Sequence, residues 1–454
     1  MKPLNNILIT LVVLVVVMYV AVFDGAVYSS SYTADSVRYM RMAENIKAGH
    51  LMNPDGIAGG EGWFAIWPIG YPVVVAATSA VTGLDGFWAS KVISILCAFV
   101  MLIIFWRRGK DAFPLLAFSI VNLAYLKITR STLSEPLFMV LLVAIGFVVE
   151  GIVTTTKEGG IDWRRATALW GLFVAVFLVR YVGFFVPAWV VVAVLLCRVE
   201  RGALGTVAAA VVGAWIFDVS YWMMNKVMCG YVSGYGRALP KETGMELIRM
   251  VASAELHELQ AYVILAILVA CLWFVGSRSI PRREIDRHDL FAAHKGWIGF
   301  VIIGVQYHAA LVFMRCRQSF DVLGFRLLYP GTLMIVIGLV LLLTQTISRF
   351  RVWSCVEFVN AIPLRRFGSF LLVVVLFGCW LLHGELQLRS ALGINVYSLG
   401  RPYPELRKQL LEKYANVPSG TKLNIGCSCC DEDFMIAALR PDLIIETVEN
   451  WDNR

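Results

Sequence analysis

The chain has 454 residues, 59% of them hydrophobic and 16% charged, and a mean hydropathy of +0.71. Soluble proteins carry about 25% charged residues, so this composition excludes a soluble globular protein. It points instead to an integral membrane protein whose spans are apolar runs of about 20 residues. The net charge of +8 comes from 40 Lys and Arg against 32 Asp and Glu. Most of that excess sits in short loops between apolar runs, where it reads as membrane orientation and not as nucleic-acid binding.

In chain order, the first apolar run is Asn6 to Phe23. It is long for a signal-peptide core and no A-x-A site follows, so it reads as a retained anchor. Next comes a polar stretch, Tyr28 to Tyr71, which carries charges of both signs between membrane-grade segments. Within it, the run to Lys47 has helical periodicity. Tyr39, Met42, Ala43 and Ile46 share one face, while Arg38, Arg41, Glu44, Asn45 and Lys47 share the other. That pattern predicts an amphipathic helix in a membrane interface, with Asp35 where an N-cap stands and Gly49 as its stop.

Eleven spans are expected: 6–23, 88–106, 112–129, 136–153, 166–180, 183–197, 203–225, 260–276, 297–314, 327–346 and 367–383. Residues 67–82 are apolar but short and hold Pro68 and Pro72, so they read as re-entrant or interfacial. Residues 166–197 read as a hairpin with its tip at Arg180–Gly183. With that assignment, loops 107–110, 154–165, 198–202, 277–296 and 347–366 lie on the side of Lys2 and are denser in Lys and Arg than the opposite side. Such loops face the cytoplasm. The N-terminus is therefore expected in the cytoplasm, with segment 24–87 and everything after His383 outside. The expected fold is an all-α polytopic membrane domain over 1–383. A small soluble α/β domain over 384–454 follows, with a helix at Pro404–Tyr414, strands at Lys422–Gly426 and Asp442–Val448, and a helix at Asp431–Leu439.

Ten cysteines are present, most of them single in apolar runs where they act as small hydrophobes. Cys427, Cys429 and Cys430 cluster in the polar tail. A zinc site needs a fourth ligand and a second pair, and neither is evident. A disulfide and free thiols both remain open, and no metal or cofactor is expected.

Arg130, Arg180, Arg315, Arg317 and Arg326 break the orientation rule, because all five fall at the outer ends of spans. Glu135 lies beside Arg130 in sequence. Single arginines at such depth commonly snorkel, but five on one face point to an anion site. The planar guanidinium suits phosphate because it offers two parallel charge-assisted hydrogen bonds. A lipid phosphate fits, with its tail among the spans and its phosphate on the arginines.

At these residues the chain resembles the C-type (GT-C) glycosyltransferases, in particular the aminoarabinose transferases and protein O-mannosyltransferases. Asp35-Ser36-Val37-Arg38-Tyr39 resembles the D-x-x-x-Y motif of the first outer loop. Trp67-Pro68-Ile69-Gly70-Tyr71-Pro72 resembles W-P-P-G-Y-P. Thr129 to Pro136 resembles R-x-x-x-[SD]-[ED]-P, and Arg180-Tyr181-Val182-Gly183 resembles the T-R-Y-x-G hairpin tip. Asp321 to Pro330 resembles D-x-x-x-x-R-x-L-x-P. Ser36 stands where many relatives carry a second acidic residue, and a Trp stands where aminoarabinose transferases carry a Lys.

The resemblance implies a GT-C fold and transfer of a sugar from a polyprenyl-phosphate donor to a glycan, lipid or protein acceptor on the outer face of the plasma (inner) membrane. It implies Asp35 as general base, with Glu135 positioning an arginine or meeting the acceptor. It also implies Arg38, Tyr39, Tyr71, Arg130, Arg180, Tyr181, Arg326 and Tyr329 as substrate-binding residues. Departure of the phosphate as the acceptor attacks would invert the anomeric centre. A polysaccharide polymerase or ligase would use the same lipid and arginines. A transporter or flippase of lipid-linked sugar should show inverted repeats and midplane charges, and neither is evident here.

Overall fold

The computed structural model describes residues 2–24, 34–49, 65–109, 112–155, 161–197, 199–233, 242–257, 296–318, 323–354, 403–418, 421–424 and 444–446. Its helices are α1 (Lys2–Met18, continued by a π-helical turn, Tyr19–Asp24), α2 (Ala34–Lys47), α3 (Gly70–Thr82), α4 (Gly86–Gly109), α5 (Phe113–Ile120), α6 (Leu123–Arg130) and α7 (Glu135–Thr155). They continue as α8 (Trp163–Val179), α9 (Val186–Leu196), α10 (Arg201–Cys229), α11 (Gly244–His257), α12 (Gly296–Arg317), α13 (Phe325–Ser354) and α14 (Tyr403–Lys413). Two short strands, β1 (Lys422–Asn424) and β2 (Ile444–Glu446), pair in parallel with Leu423 opposite Ile445.

Among the described residues, five helices are long and apolar enough to cross a membrane: α4, α7, α10, α12 and α13. The expected spans 260–276 and 367–383, the tail helix Asp431–Leu439 and the three tail cysteines lie outside the described residues. The helix expected at Pro404–Tyr414 is present as α14, and β1 and β2 fall within the strands expected at Lys422–Gly426 and Asp442–Val448.

One expected span is corrected. Residues 112–129 form two eight-residue helices, α5 and α6, and not one. Asn122 is extended, and its side chain accepts a hydrogen bond from the Ala124 N–H at 2.8 Å, capping α6 and interrupting the apolar run. The break expected in 166–197 does occur. Arg180 is extended at φ −151°, ψ 133°, and a 3₁₀ turn, Tyr181–Phe185, leads into α9. At Gly183 the chain packs directly on the end of α8, because a Cβ there would lie 2.6 Å from Val176 and Phe177 backbone atoms.

α3 has 13 residues, about 20 Å of helix and too short for a 30 Å hydrocarbon core. Pro72 falls in its first turn, where no intrahelical donor is needed. α2 packs on α3 and α4. Tyr39, Met42 and Ala43 are buried as the periodicity predicts, but so are Met40 and Arg41, and Arg41 is only 7% exposed. The helix is thus covered on more than one side, which corrects the expected solvent face at Arg41. α12 and α13 cross closely, since a Cβ on Gly304 would come within 2.5 Å of the Gly331 carbonyl oxygen. Small residues at such a crossing let backbones approach.

Candidate active site

Four helix ends meet at one point. Asp35 is the second residue of α2, inside the first turn and not a cap before it. Glu135 is the first residue of α7, Arg180 follows α8, and Arg326 is the second residue of α13. Helix N-termini carry partial positive charge and C-termini partial negative charge. Both carboxylates and Arg180 therefore sit at the favourable ends of their helices. Pro330, one turn along α13, has no N–H to offer the Arg326 carbonyl.

The side chains join these ends. Glu135 is fully buried, and its Oε1 accepts from Arg180 at 2.7 Å and from Arg326 Nε at 2.8 Å. Arg326 reaches the other way with a second nitrogen and donates to Asp35 Oδ2. One guanidinium thus bridges two carboxylates that lie a hundred residues apart in sequence. The set holds two anions and two cations. Glu135 Oε2 is buried with no hydrogen-bond partner among the described residues. A buried oxygen left open in this way is what a ligand hydroxyl would satisfy. Oδ2 is the engaged oxygen of Asp35.

Around this set, the Tyr39 hydroxyl and Ser134 Oγ are 3.2 Å apart, and Arg180 donates to Ser134 Oγ at 3.4 Å. Burial first, and then the Asp35 carboxylate, push the Tyr39 phenol well above its ordinary range, so it stays a neutral donor. The Tyr71 ring stands edge-on to Tyr39 at 5.0 Å, and Trp67 lies 5.9 Å from it. The Arg38 guanidinium lies over Trp67 at 4.9 Å. Tyr181 donates to the Ala65 carbonyl at 2.9 Å and accepts from Asn225 at 3.0 Å, tying the 3₁₀ turn to α10.

The structure therefore brings Asp35, Glu135, Arg180 and Arg326 together, with Tyr39 next to them and Tyr71, Arg38 and Tyr181 in the surrounding layer. One residue stands apart in its contacts. The Tyr329 hydroxyl is buried and donates to the Ser119 carbonyl at 2.6 Å, so it joins α13 to α5 within the core. The Arg130 backbone carbonyl accepts from Lys91 on α4. Three residues were missed in the sequence. Ser134 bridges Tyr39 and Arg180. Lys91 looked like a lone charge inside an apolar run. Tyr307 packs between Phe138 at 6.0 Å and Trp189 at 5.9 Å, within the field of Arg180, Glu135 and Arg326. Among the described residues no three His, Cys, Asp or Glu side chains converge as metal ligands would.

No protein-family model matches the chain, and no curated protein matches it in sequence. Solved structures match it in fold. ArnT from Cupriavidus metallidurans bound to undecaprenyl phosphate is 13% identical, with a TM-score of 0.58 over 98% of this chain and 86% of that one. Its apo state gives 14% identity and a TM-score of 0.57, over 97% of this chain and 85% of that one. The oligosaccharyltransferase AglB from Archaeoglobus fulgidus, in complex with an inhibitory peptide and a dolichol-phosphate, is 10% identical with a TM-score of 0.55. That match covers 98% of this chain but 65% of AglB, so the chain spans less than two thirds of AglB's length. Both neighbours are GT-C fold membrane glycosyltransferases, and the GT-C fold is the fold of this chain.

Proposed function

We propose that the chain is a membrane glycosyltransferase that moves a sugar from a polyprenyl-phosphate donor to an acceptor hydroxyl on a glycan, lipid or protein. The observation that carries this reading is the four-charge set at the ends of α2, α7, α8 and α13. It offers a carboxylate able to take a proton beside guanidiniums able to stabilise a leaving phosphate. In this reading Asp35 accepts the acceptor's proton as its oxygen attacks the anomeric carbon. The bond from that carbon to the phosphate oxygen breaks, its electron pair leaves with the polyprenyl phosphate, and the anomeric centre inverts. Glu135 holds Arg180 and Arg326 in place and presents its open Oε2 to an acceptor hydroxyl. Arg38, Arg130, Tyr39, Tyr71 and Tyr181 line the approach. Tyr329 contributes through the α13–α5 packing that sets Arg326. The lipid phosphates in the ArnT and AglB structures support the choice of donor class.

The same reading puts the site on the extracytoplasmic face of the inner membrane. The N-terminus is cytoplasmic, the membrane domain is 1–383, and the small α/β unit 384–454 is outside. Mass spectrometry of lipids co-purifying with the full chain tests the donor. A polyprenyl phosphate, or a sugar carried on one, is the expected ligand. Recovery of bulk phospholipid alone would contradict it. A reporter fused after Arg454 should report an outside end and one placed in 277–296 an inside loop. The reverse pattern would overturn the orientation.

A further inference from the structure

α10 is long and apolar enough to cross a membrane, yet the buried stripe along it ends in an amide. Asn225 stands one turn before the end of the helix and is fully enclosed. A buried amide costs free energy unless its donors find acceptors. Asn225 Nδ2 finds two, the Val232 carbonyl at 3.0 Å and the Tyr181 hydroxyl at 3.0 Å. The first holds the turn that follows α10. There Gly230 takes a left-handed φ of 81°, and Cys229 Sγ donates to the Asn225 backbone carbonyl at 3.1 Å. The second reaches across to the hairpin tip between α8 and α9.

The direction of that second bond matters. An amide nitrogen only donates, so the Tyr181 oxygen accepts from Asn225 and turns its own proton away. That proton meets the Ala65 carbonyl at 2.9 Å. One ordered relay therefore joins the turn after α10, the hairpin tip and the segment that leads into α3. Two of these carry walls of the candidate site. Arg180 immediately precedes Tyr181, and its side chain reaches Glu135 and Ser134. Trp67 follows Ala65 by two residues and packs against Tyr39 and Arg38. The Arg180 backbone is extended, with its N–H on the Val176 carbonyl at 3.1 Å and its carbonyl accepting from the Gly183 N–H at 2.8 Å. Beneath the turn, the Phe177 ring packs on both Tyr181 at 5.8 Å and Tyr221 of α10 at 5.6 Å. A shift of Tyr181 therefore passes straight to the backbone that aims the Arg180 guanidinium.

We propose that Asn225 is a positioning residue for the transfer reaction. Through Tyr181 it sets where Arg180 places its guanidinium and where the Trp67 wall stands, and it acts without touching substrate. This role rests on, and deepens, the glycosyltransferase reading. The Tyr181 ring borders the approach while its hydroxyl is engaged in the relay.

The test uses the purified full chain in lipid nanodiscs and the sugar-linked polyprenyl lipid that co-purifies with it. Asn225→Leu keeps a similar volume and suits an apolar span, and Tyr181→Phe removes only the hydroxyl. Both should slow single-turnover release of polyprenyl phosphate by about tenfold to a hundredfold, the scale of a small misplacement of a catalytic group. Affinity for the sugar-linked lipid should change by no more than about threefold, because the lost contact strengthens in the transition state. The double variant should be no slower than the slower single one, since both act through one relay. Hydrogen exchange across residues 181–185 should quicken in both variants. Release at the wild-type rate in either folded variant would overturn the proposal. So would losses that multiply in the double variant, or donor affinity that falls as far as the rate, which would make Tyr181 a direct substrate contact. Quickened exchange in both variants of a chain that binds and cleaves no polyprenyl-linked sugar would remove the glycosyltransferase reading and leave the relay. Unchanged exchange in a chain that does transfer would remove the relay alone.

Discussion

At the start of α13, Arg326 bridges Asp35 and Glu135, and less than two turns later Thr332 donates to Glu255 of α11. His308 of α12 lies 3.3 Å from both Glu255 Oε1 and Thr332 Oγ1 and 3.1 Å from the Leu328 carbonyl oxygen. Both clusters draw polar side chains from several helices into buried or half-buried positions. The first pairs carboxylates with guanidiniums, which stay charged at every working pH. The second holds one carboxyl, Glu255, that burial moves toward neutrality. Burial pushes Glu255 up to about 7, against the opposing hydrogen bond from Thr332. Permanent, mutually compensated charges hold a fixed geometry where chemistry needs one. A carboxyl titrating near neutrality leaves the docking of α11 sensitive to its surroundings, although the Glu242–Arg315 pair at 2.5 Å ties down its other end.

Removing the central anion breaks the first cluster most severely. Glu135→Gln leaves Arg180 and Arg326 enclosed without their shared partner, and breaking such a buried pair costs about 3–5 kcal/mol. Thermal unfolding in detergent should fall accordingly. A variant as stable as wild type would mean that the two arginines reach other anions.

The second cluster should instead respond to pH. Glu255 rises from 4.5 to about 7 on folding, so the folded state holds its proton more tightly than the unfolded state. Its contribution is fully present below pH 4.5 and declines as pH rises through about 7, by up to roughly 3 kcal/mol. Hydrogen exchange along α11 should therefore quicken as pH rises through that window, after correction for intrinsic exchange. Glu255→Gln should flatten the trend, and a trend that survives in that variant would assign it to another group. A smaller effect sharpens the edge of the first cluster. Tyr39→Phe removes one hydroxyl contact with Ser134, worth about 1 kcal/mol. It should lower stability slightly and leave the α2–α3 packing in place, which the protease sensitivity of the purified chain can check.

Much of the first cluster was legible because charged residues at the mouths of apolar runs are conspicuous. Glu135, Arg180 and Arg326 stand at the ends of apolar runs and Asp35 opens the amphipathic helix of the polar stretch, each in a recognisable short motif. The second cluster was not, because Glu255, His308 and Thr332 belong to helices whose docking no local pattern encodes. Lys91 was hidden for a similar reason, since a hydropathy window over 88–106 absorbs one charge without a break. The split of 112–129 at Asn122 was averaged away in the same manner. Tyr329 follows Arg326 by one turn and looked like part of the site. Only the tertiary fold brings the Ser119 carbonyl to its hydroxyl. Arg41 was placed on a polar face because periodicity assigns one buried side, whereas α2 is covered on several.

The central claim is that Asp35 is the proton acceptor in a transfer from a polyprenyl-phosphate donor. The direct measurement compares wild type with Asp35→Asn for donor binding and for single-turnover release of polyprenyl phosphate from its sugar-linked form. Asp35→Asn removes a charge that Arg326 shares with Glu135, so donor binding should persist. Release should slow by about two to four orders of magnitude, the usual share of acid–base catalysis. Release at near the wild-type rate, with binding intact, would leave Asp35 as an ion-pair partner of Arg326 and contradict the account.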